Sequence, residues 1–175
     1  MDFVDLVKAR KSVRRYKPDP VPRDVVKRVL EAAILAPTWA NMQGVRYVVV
    51  ADPAAVAAVK EGIGQKWVAS APSFIVATSH EGASGKNKNG LPYYMLDVGI
   101  CFQQLVLAAT NEGLGTCWIG YFDENVVKTA LNVPPKQRVI AITPIGYPDG
   151  EAKDTTRKPM QEVAFLDRFD QPLDS

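Results

Sequence analysis

Tyr93-Tyr94-Met95-Leu96-Asp97-Val98-Gly99-Ile100-Cys101-Phe102-Gln103-Gln104-Leu105-Val106-Leu107-Ala108-Ala109-Thr110-Asn111-Glu112-Gly113-Leu114-Gly115-Thr116-Cys117-Trp118-Ile119-Gly120 is the stretch that decides the fold. Residues 93–111 read as the longest helix of the chain. Met95, Leu96, Val98, Ile100, Cys101, Phe102, Leu105, Val106 and Leu107 leave it few polar positions for a solvent face. A helix apolar on most sides belongs in the centre of a core or in a large interface. Gly113 and Gly115 end it. Residues 116–120 follow as a short strand.

Outward from this helix, helical and extended patterns succeed one another. Downstream, Asp123 caps a short helix, and residues 138–147 read as a long strand. Upstream, residues 74–78 form an apolar strand. Residues 45–51 are nearly continuous in valine, a pattern that suits a strand covered on both faces. Asp52-Pro53 opens an alanine-rich helix between those strands. A further helix starts near Pro22 and is stopped by Pro37, with Val25, Val26, Val29, Leu30, Ala33 and Ile34 as its core stripe. Asp2 caps a first helix that ends near Arg10 and carries Phe3, Val4, Leu6 and Val7 on one face. Pro18 and Pro20 keep the next segment out of helix. Residues 80–90 are a flexible loop on composition. The chain beyond the last strand begins as a polar loop and carries an apolar patch at Val163, Phe165, Leu166 and Phe169. The order implies one α+β or α/β three-layer domain over residues 1–175, with a tail from about residue 150.

A chain of 175 residues is long enough to bury a full core, and its 47% apolar and 23% charged residues are ordinary for a globular protein. Its 21 basic and 19 acidic residues leave a net charge of +2, which argues against a dedicated nucleic-acid binder. Cys101 and Cys117 stand too far apart for a Cys-x-x-Cys motif and fit buried thiols in a reducing compartment. The acidic N-terminus lacks an apolar signal core, and no run approaches the roughly 20 apolar residues of a membrane span. The expectation is a soluble, cytoplasmic protein with neither membrane nor nucleic acid as partner.

His80 is the lone histidine. It cannot build a zinc site of two or three histidines, and no Gly-x-Ser-x-Gly elbow supports a catalytic triad around it. It reads as a solvated loop histidine, and no metal site is expected. Neither a Gly-x-Gly-x-x-Gly turn after a strand nor a Walker A sequence is present. An enzyme with this inventory delegates the hard chemistry to a cofactor, so no side chain is assigned as catalytic.

Three stretches remain. In Arg10-Lys11-Ser12-Val13-Arg14-Arg15, four cations and a hydroxyl stand at a helix-to-loop junction. They suit either a solvated helix end or a phosphate held by guanidinium forks and a hydroxyl. Ala36-Pro37-Thr38-Trp39-Ala40-Asn41-Met42-Gln43 is a turn with an aromatic plug, or a set of donors and acceptors able to read a heterocycle edge. In residues 113–120, Gly120 permits close backbone approach to a flat ligand; the plainer reading is a helix stop before a buried strand.

Together these stretches resemble the nitroreductase family of FMN proteins. The family's Arg-x-Ser-x-Arg/Lys is matched by Arg10, Ser12 and Arg14. Its Ala-Pro-Ser-x-x-Asn-x-Gln-Pro-Trp is matched by Ala36, Pro37, Thr38, Asn41 and Gln43, and its Gly-Leu-Gly-Thr-Cys-Trp-Ile-Gly by residues 113–120 throughout. A late Arg-Lys-Pro follows at Arg157, Lys158 and Pro159. The resemblance covers almost the whole chain, with the motifs in family order. Thr38 replaces the usual serine, Trp39 stands where a small residue is usual, and Gly44-Val45 replaces Pro-Trp.

The resemblance implies an α+β three-layer fold, a mixed central sheet flanked by helices, in an intertwined homodimer whose tail reaches onto the partner. It implies two non-covalently bound FMN molecules at the subunit interface. By carry-over, Arg10, Ser12 and Arg157 hold the phosphate and ribityl chain, Lys11 contributes mainly its backbone, and Arg14 is the cation beside flavin N1 and O2. Pro37, Thr38, Trp39, Asn41 and Gln43 form the second motif, of which Thr38, Trp39 and Asn41 come from the partner chain. Ile119 and Gly120 line the ring, with the Gly120 N–H toward N5. The implied activity is transfer of two electrons from NAD(P)H through FMN to a small organic acceptor, a nitroaromatic or quinone, with ping-pong kinetics. The alternatives are a non-catalytic flavin-binding or storage protein, another reductive reaction on the same scaffold such as dehalogenation, and an anion-binding module without flavin.

Overall fold

In the computed structural model, which describes residues 1–173, four strands form one sheet in the order β1-β2-β4-β3. They are β1 (Arg46–Val50), β2 (Phe74–Ser79), β3 (Gly115–Thr116) and β4 (Arg138–Gly146). All three pairings are antiparallel. The parallel component of the sheet is a single bridge between Ser12 and Thr116. At Ala77/Thr78 the register against β4 shifts past Ile140. Val139 and Ala141 therefore share a parity yet face opposite sides, into two different cores.

Those two cores make three layers. On one side α2 (Arg23–Ile34) and α4 (Tyr94–Asn111) cover the sheet, with Val29, Phe102 and Leu105 packed on Ile75, Ala77 and Ile145. On the other, α3 (Pro53–Ile63) and α5 (Glu124–Ala130) bring Val56, Val59, Ile63 and Val127 against Phe74, Val76 and Ile142. The helix starts are set by side chains that satisfy orphan amide donors. Asp52 accepts from Ala54 and Ala55, and Asp123 from Asn125 and Val126. Gly64, at φ 66°, closes α3 in the left-handed region. α1 (Phe3–Ala9) is capped by Asp2, as its sequence implies.

Several expectations need correction. β1 is an edge strand and is covered on both faces only in part: Val48 and Val50 pack on one core and Val45 and Tyr47 against the other, while Val49 is 42% exposed. The extended run at residues 116–120 is strand only over Gly115–Thr116, followed by an isolated bridge between Ile119 and Ile142. Residues 80–90 are pinned rather than free: a short turn at Glu81–Ala83, a buried Ser84 and a bridge from Lys86 to Pro92 organise them. Ile34 lies outside the core stripe of α2, at its exposed end. α1 buries no residue, and its Phe3, Val4 and Val7 face solvent. Met95, Leu96 and Ile100 of α4 do the same, so this helix serves both as core and as an open apolar face. No described helix is long and apolar enough to cross a membrane.

Candidate functional site

The segment after α1 is stitched along the end of the sheet. The Val13 amide donates to Thr116 O at 2.8 Å, Tyr16 bridges Pro148, and the Lys17 amide donates to Tyr147 O. The Tyr16 hydroxyl donates back to Val13 O at 2.7 Å. Gly115 makes the approach possible, since a Cβ there would sit 2.8–2.9 Å from Val13 side-chain atoms. This clamp brings the cations of the first motif to the glycine-rich third motif. Burial pushes the Cys117 thiol up, against the opposing influence of the Arg14 charge, the Ser12 hydroxyl and the Arg10 charge. The Ser12–Thr116 bridge and the Val13–Thr116 hydrogen bond set the Arg10–Arg14 segment alongside Thr116 and the buried Cys117. Arg10 and Ser12 are half-buried and Arg14 is exposed.

The strip they border is open. Gly120 is exposed, and a Cβ on it would meet nothing within 4 Å. Ile119 beneath it is buried through its bridge to Ile142, and Trp118 turns outward, its ring edge-on to Phe102 at 4.6 Å. Two residues that sequence reasoning passed over shape the other side. The Arg14 guanidinium lies 5.8 Å from the Trp67 ring centroid, a cation–π distance. The Trp67 indole N–H donates to Gln65 Oε1, and the Gln65 amide reaches Tyr121 O, next to Gly120. Nothing in the local sequence distinguishes Trp67 from a core aromatic.

The second motif forms its own cluster. Pro37 follows the end of α2, and residues 38–43 make a tight turn with Ala40, Asn41 and Gln43 at φ 43°, 57° and 51°. Three non-glycine residues in the left-handed region mark local strain of the kind concentrated at functional sites. The turn is held by the Gln43 amide donating to Thr38 Oγ1 and by the Trp39 amide donating to Asp97 Oδ1, both at 2.9 Å. Asn41 and Gln43 are exposed. The structure does not join Lys11 or Arg157 to the cluster through their side chains. The Lys11 ammonium pairs with Asp154 at 2.7 Å, and the Arg157 guanidinium bonds to Thr155 and Thr156. No group of side chains suited to hold a metal ion occurs among the described residues.

With this geometry in place, the family model described as "Nitroreductase family" matches residues 7–67 and 53–147, a span that contains the first three motifs. The chain belongs to the nitroreductase family. A relative named NADH dehydrogenase from Thermus thermophilus is 30% identical over 89% of this chain and 91% of its own length. An iodotyrosine deiodinase from Nematostella vectensis is 24% identical over 94% of this chain and 75% of its own. A solved nitroreductase family protein from Clostridium difficile superposes with a TM-score of 0.88 at 25% identity, over 96% of this chain and 99% of that one. Family and fold together place the chain among oxidoreductases.

Proposed function

We propose that the chain is an FMN-dependent, NAD(P)H-using oxidoreductase that reduces a small organic acceptor, working as a homodimer. The observation that carries the reading is the stitching of the Arg10–Arg14 segment onto Gly115–Thr116, the start of the strip that runs to the exposed, side-chain-free Gly120. The donor set fits FMN: two guanidinium groups and a hydroxyl for the phosphate and the electron-rich edge of the ring, and an open glycine backbone for its flat face. Bound FMN supplies the two-electron redox chemistry. The chain supplies position and field. Arg10 and Ser12 hold the phosphate, with Arg157 added from the tail. Arg14, backed by Trp67, keeps a fixed positive charge at the ring. Gly120 leaves one face open, so NAD(P)H and acceptor use the same space in turn. Thr38, Trp39 and Asn41, held in the turn that Pro37 opens and Gln43 closes, complete the site from the partner subunit. The dimer is supported by Met95, Leu96 and Ile100 on α4 and by Val163, Leu166 and Phe169 in the tail, all exposed in the single chain.

The test is anaerobic addition of NADH or NADPH to the purified protein reconstituted with FMN. Rapid bleaching of the visible band is expected. A yellow protein that neither cofactor reduces points to flavin binding without catalysis, and a protein that takes up no FMN removes the reading altogether. Reductive dehalogenation is the second reading, motivated by the deiodinase relative; turnover of a halogenated phenol and none of a nitroaromatic would favour it.

A further inference from the structure

Asp97 lies in the first turn of α4 yet is only 3% exposed. A carboxylate buried to that extent is destabilising unless its oxygens are engaged. Both are. Oδ1 accepts the Trp39 backbone N–H at 2.9 Å, and Oδ2 accepts the hydroxyl of buried Ser84 at 2.6 Å. The two donors sit on different segments, the 38–43 turn and the 80–92 loop. Trp39 completes the joint. Its ring stacks on Tyr93 with centroids 4.8 Å apart and planes 30° apart. Gly85 lies so close that a Cβ there would run into the indole. The Tyr93 amide donates to Gly85 O at 2.9 Å and closes the loop on itself.

We propose that Asp97 is a positioning residue that latches the 80–92 loop to the 38–43 turn, and that Trp39, so held, is the wall that selects planar aromatic acceptors. The second half rests on the oxidoreductase reading; the first does not. Trp39 is 38% exposed, with one face on Tyr93 and an edge on Gly85. The remaining ring surface is presented from a turn whose shape is already fixed. A pinned indole loses little rotamer freedom when a flat ring lies against it, so stacking is favoured by preorganisation.

The latch is tested without activity. Lys86 and Lys88 place trypsin sites inside the loop. Ser84→Ala removes one donor, and Asp97→Ala removes both acceptor oxygens. Each is expected to speed tryptic cleavage at Lys86 or Lys88 at least fivefold relative to the other lysines. No acceleration in either variant, or acceleration spread evenly over the chain, overturns the latch. The wall is tested by steady-state kinetics per bound flavin with 4-nitrobenzoate and with ferricyanide. Trp39→Ala is expected to raise the 4-nitrobenzoate KM roughly three- to tenfold more than the ferricyanide KM, the value of one aromatic stack, whatever it does to flavin binding. Trp39→Phe is expected to restore the former. Equal shifts for both acceptors, or a phenylalanine variant as poor as alanine, overturn the wall. A wild-type protein that reduces neither acceptor rejects the oxidoreductase reading and the wall with it, while the latch stands or falls on the tryptic result.

Discussion

Alanine placed at Gly115 and at Gly120 in turn separates what the third motif does for the fold from what it does for a ligand. At Gly115 the added methyl meets Val13 Cβ, Cγ1 and Cγ2 at 2.8–2.9 Å. Val13 cannot swing away, since its branched side chain is stiff and its amide is bonded to Thr116 O at 2.8 Å. The clash must therefore shift the backbone of the N-terminal segment. Overpacking of this kind costs about 1–3 kcal/mol, a fall in melting temperature of roughly 3–10 °C for a domain of this size. At Gly120 the methyl enters open space, and the backbone there does not require the left-handed region. Gly120→Ala should leave the melting temperature unchanged or slightly raised through a less flexible unfolded chain. It should still weaken FMN, because the methyl stands where the ring is proposed to lie. The assay is thermal unfolding of the flavin-free variants by circular dichroism, followed by FMN titration. Equal melting temperatures for Gly115→Ala and wild type, or equal losses in both variants, would refute the reasoning.

Other outcomes follow from the same structure. Arg157→Ala should weaken FMN far more than riboflavin, since only FMN carries the phosphate and a charge-assisted bond is worth about 1.5–3 kcal/mol; equal losses in fluorescence titrations would remove Arg157 from the phosphate site. The Arg138 guanidinium beside Glu124 holds that carboxylate below its usual value against the opposing effect of burial. A depressed folded-state value means the stability is present above the unfolded value of 4.5 and fades as pH falls through the lowered one. Glu124→Gln should thus lose about 1–2 kcal/mol near pH 7 in urea unfolding, with the gap to wild type narrowing below pH 4.5; a gap independent of pH would contradict this. Truncation after Pro159 should lower both mass in solution and bound flavin together, and a folded monomer that keeps its FMN would reject the shared site.

The parts of this architecture legible in the sequence are those written in local chemistry. Asp52 and Asp123 fix helix starts through their own hydrogen bonds, so although the Gly64 stop of α3 was passed over, the starts of α3 and α5 could be read directly. Sheet position could not. The valines of β1 match a strand that packs on both cores, and they carry no sign that it lies at the edge, which only pairing order decides. The register shift at Ala77 likewise depends on the partner strand and has no signature in β4 itself. For the candidate site, motif spacing singles out Arg10, Ser12 and Arg14 as candidates, whereas Asp97, Ser84 and Trp67 make contacts with neighbours distant in sequence. A polar loop such as 80–92 looks flexible by composition because a single buried hydrogen bond from Ser84 weighs nothing in that average.

The account stands or falls on whether the Arg10–Ser12–Arg14 clamp and Gly120 form one flavin site per chain. Equilibrium dialysis of flavin-free protein against FMN measures this most directly, with wild type and Arg10→Ala run side by side. The account predicts one FMN per chain for wild type and binding at least tenfold weaker for the variant, with unchanged melting of the flavin-free protein. Wild type that binds no FMN, or an Arg10→Ala variant that binds it equally well, would contradict it.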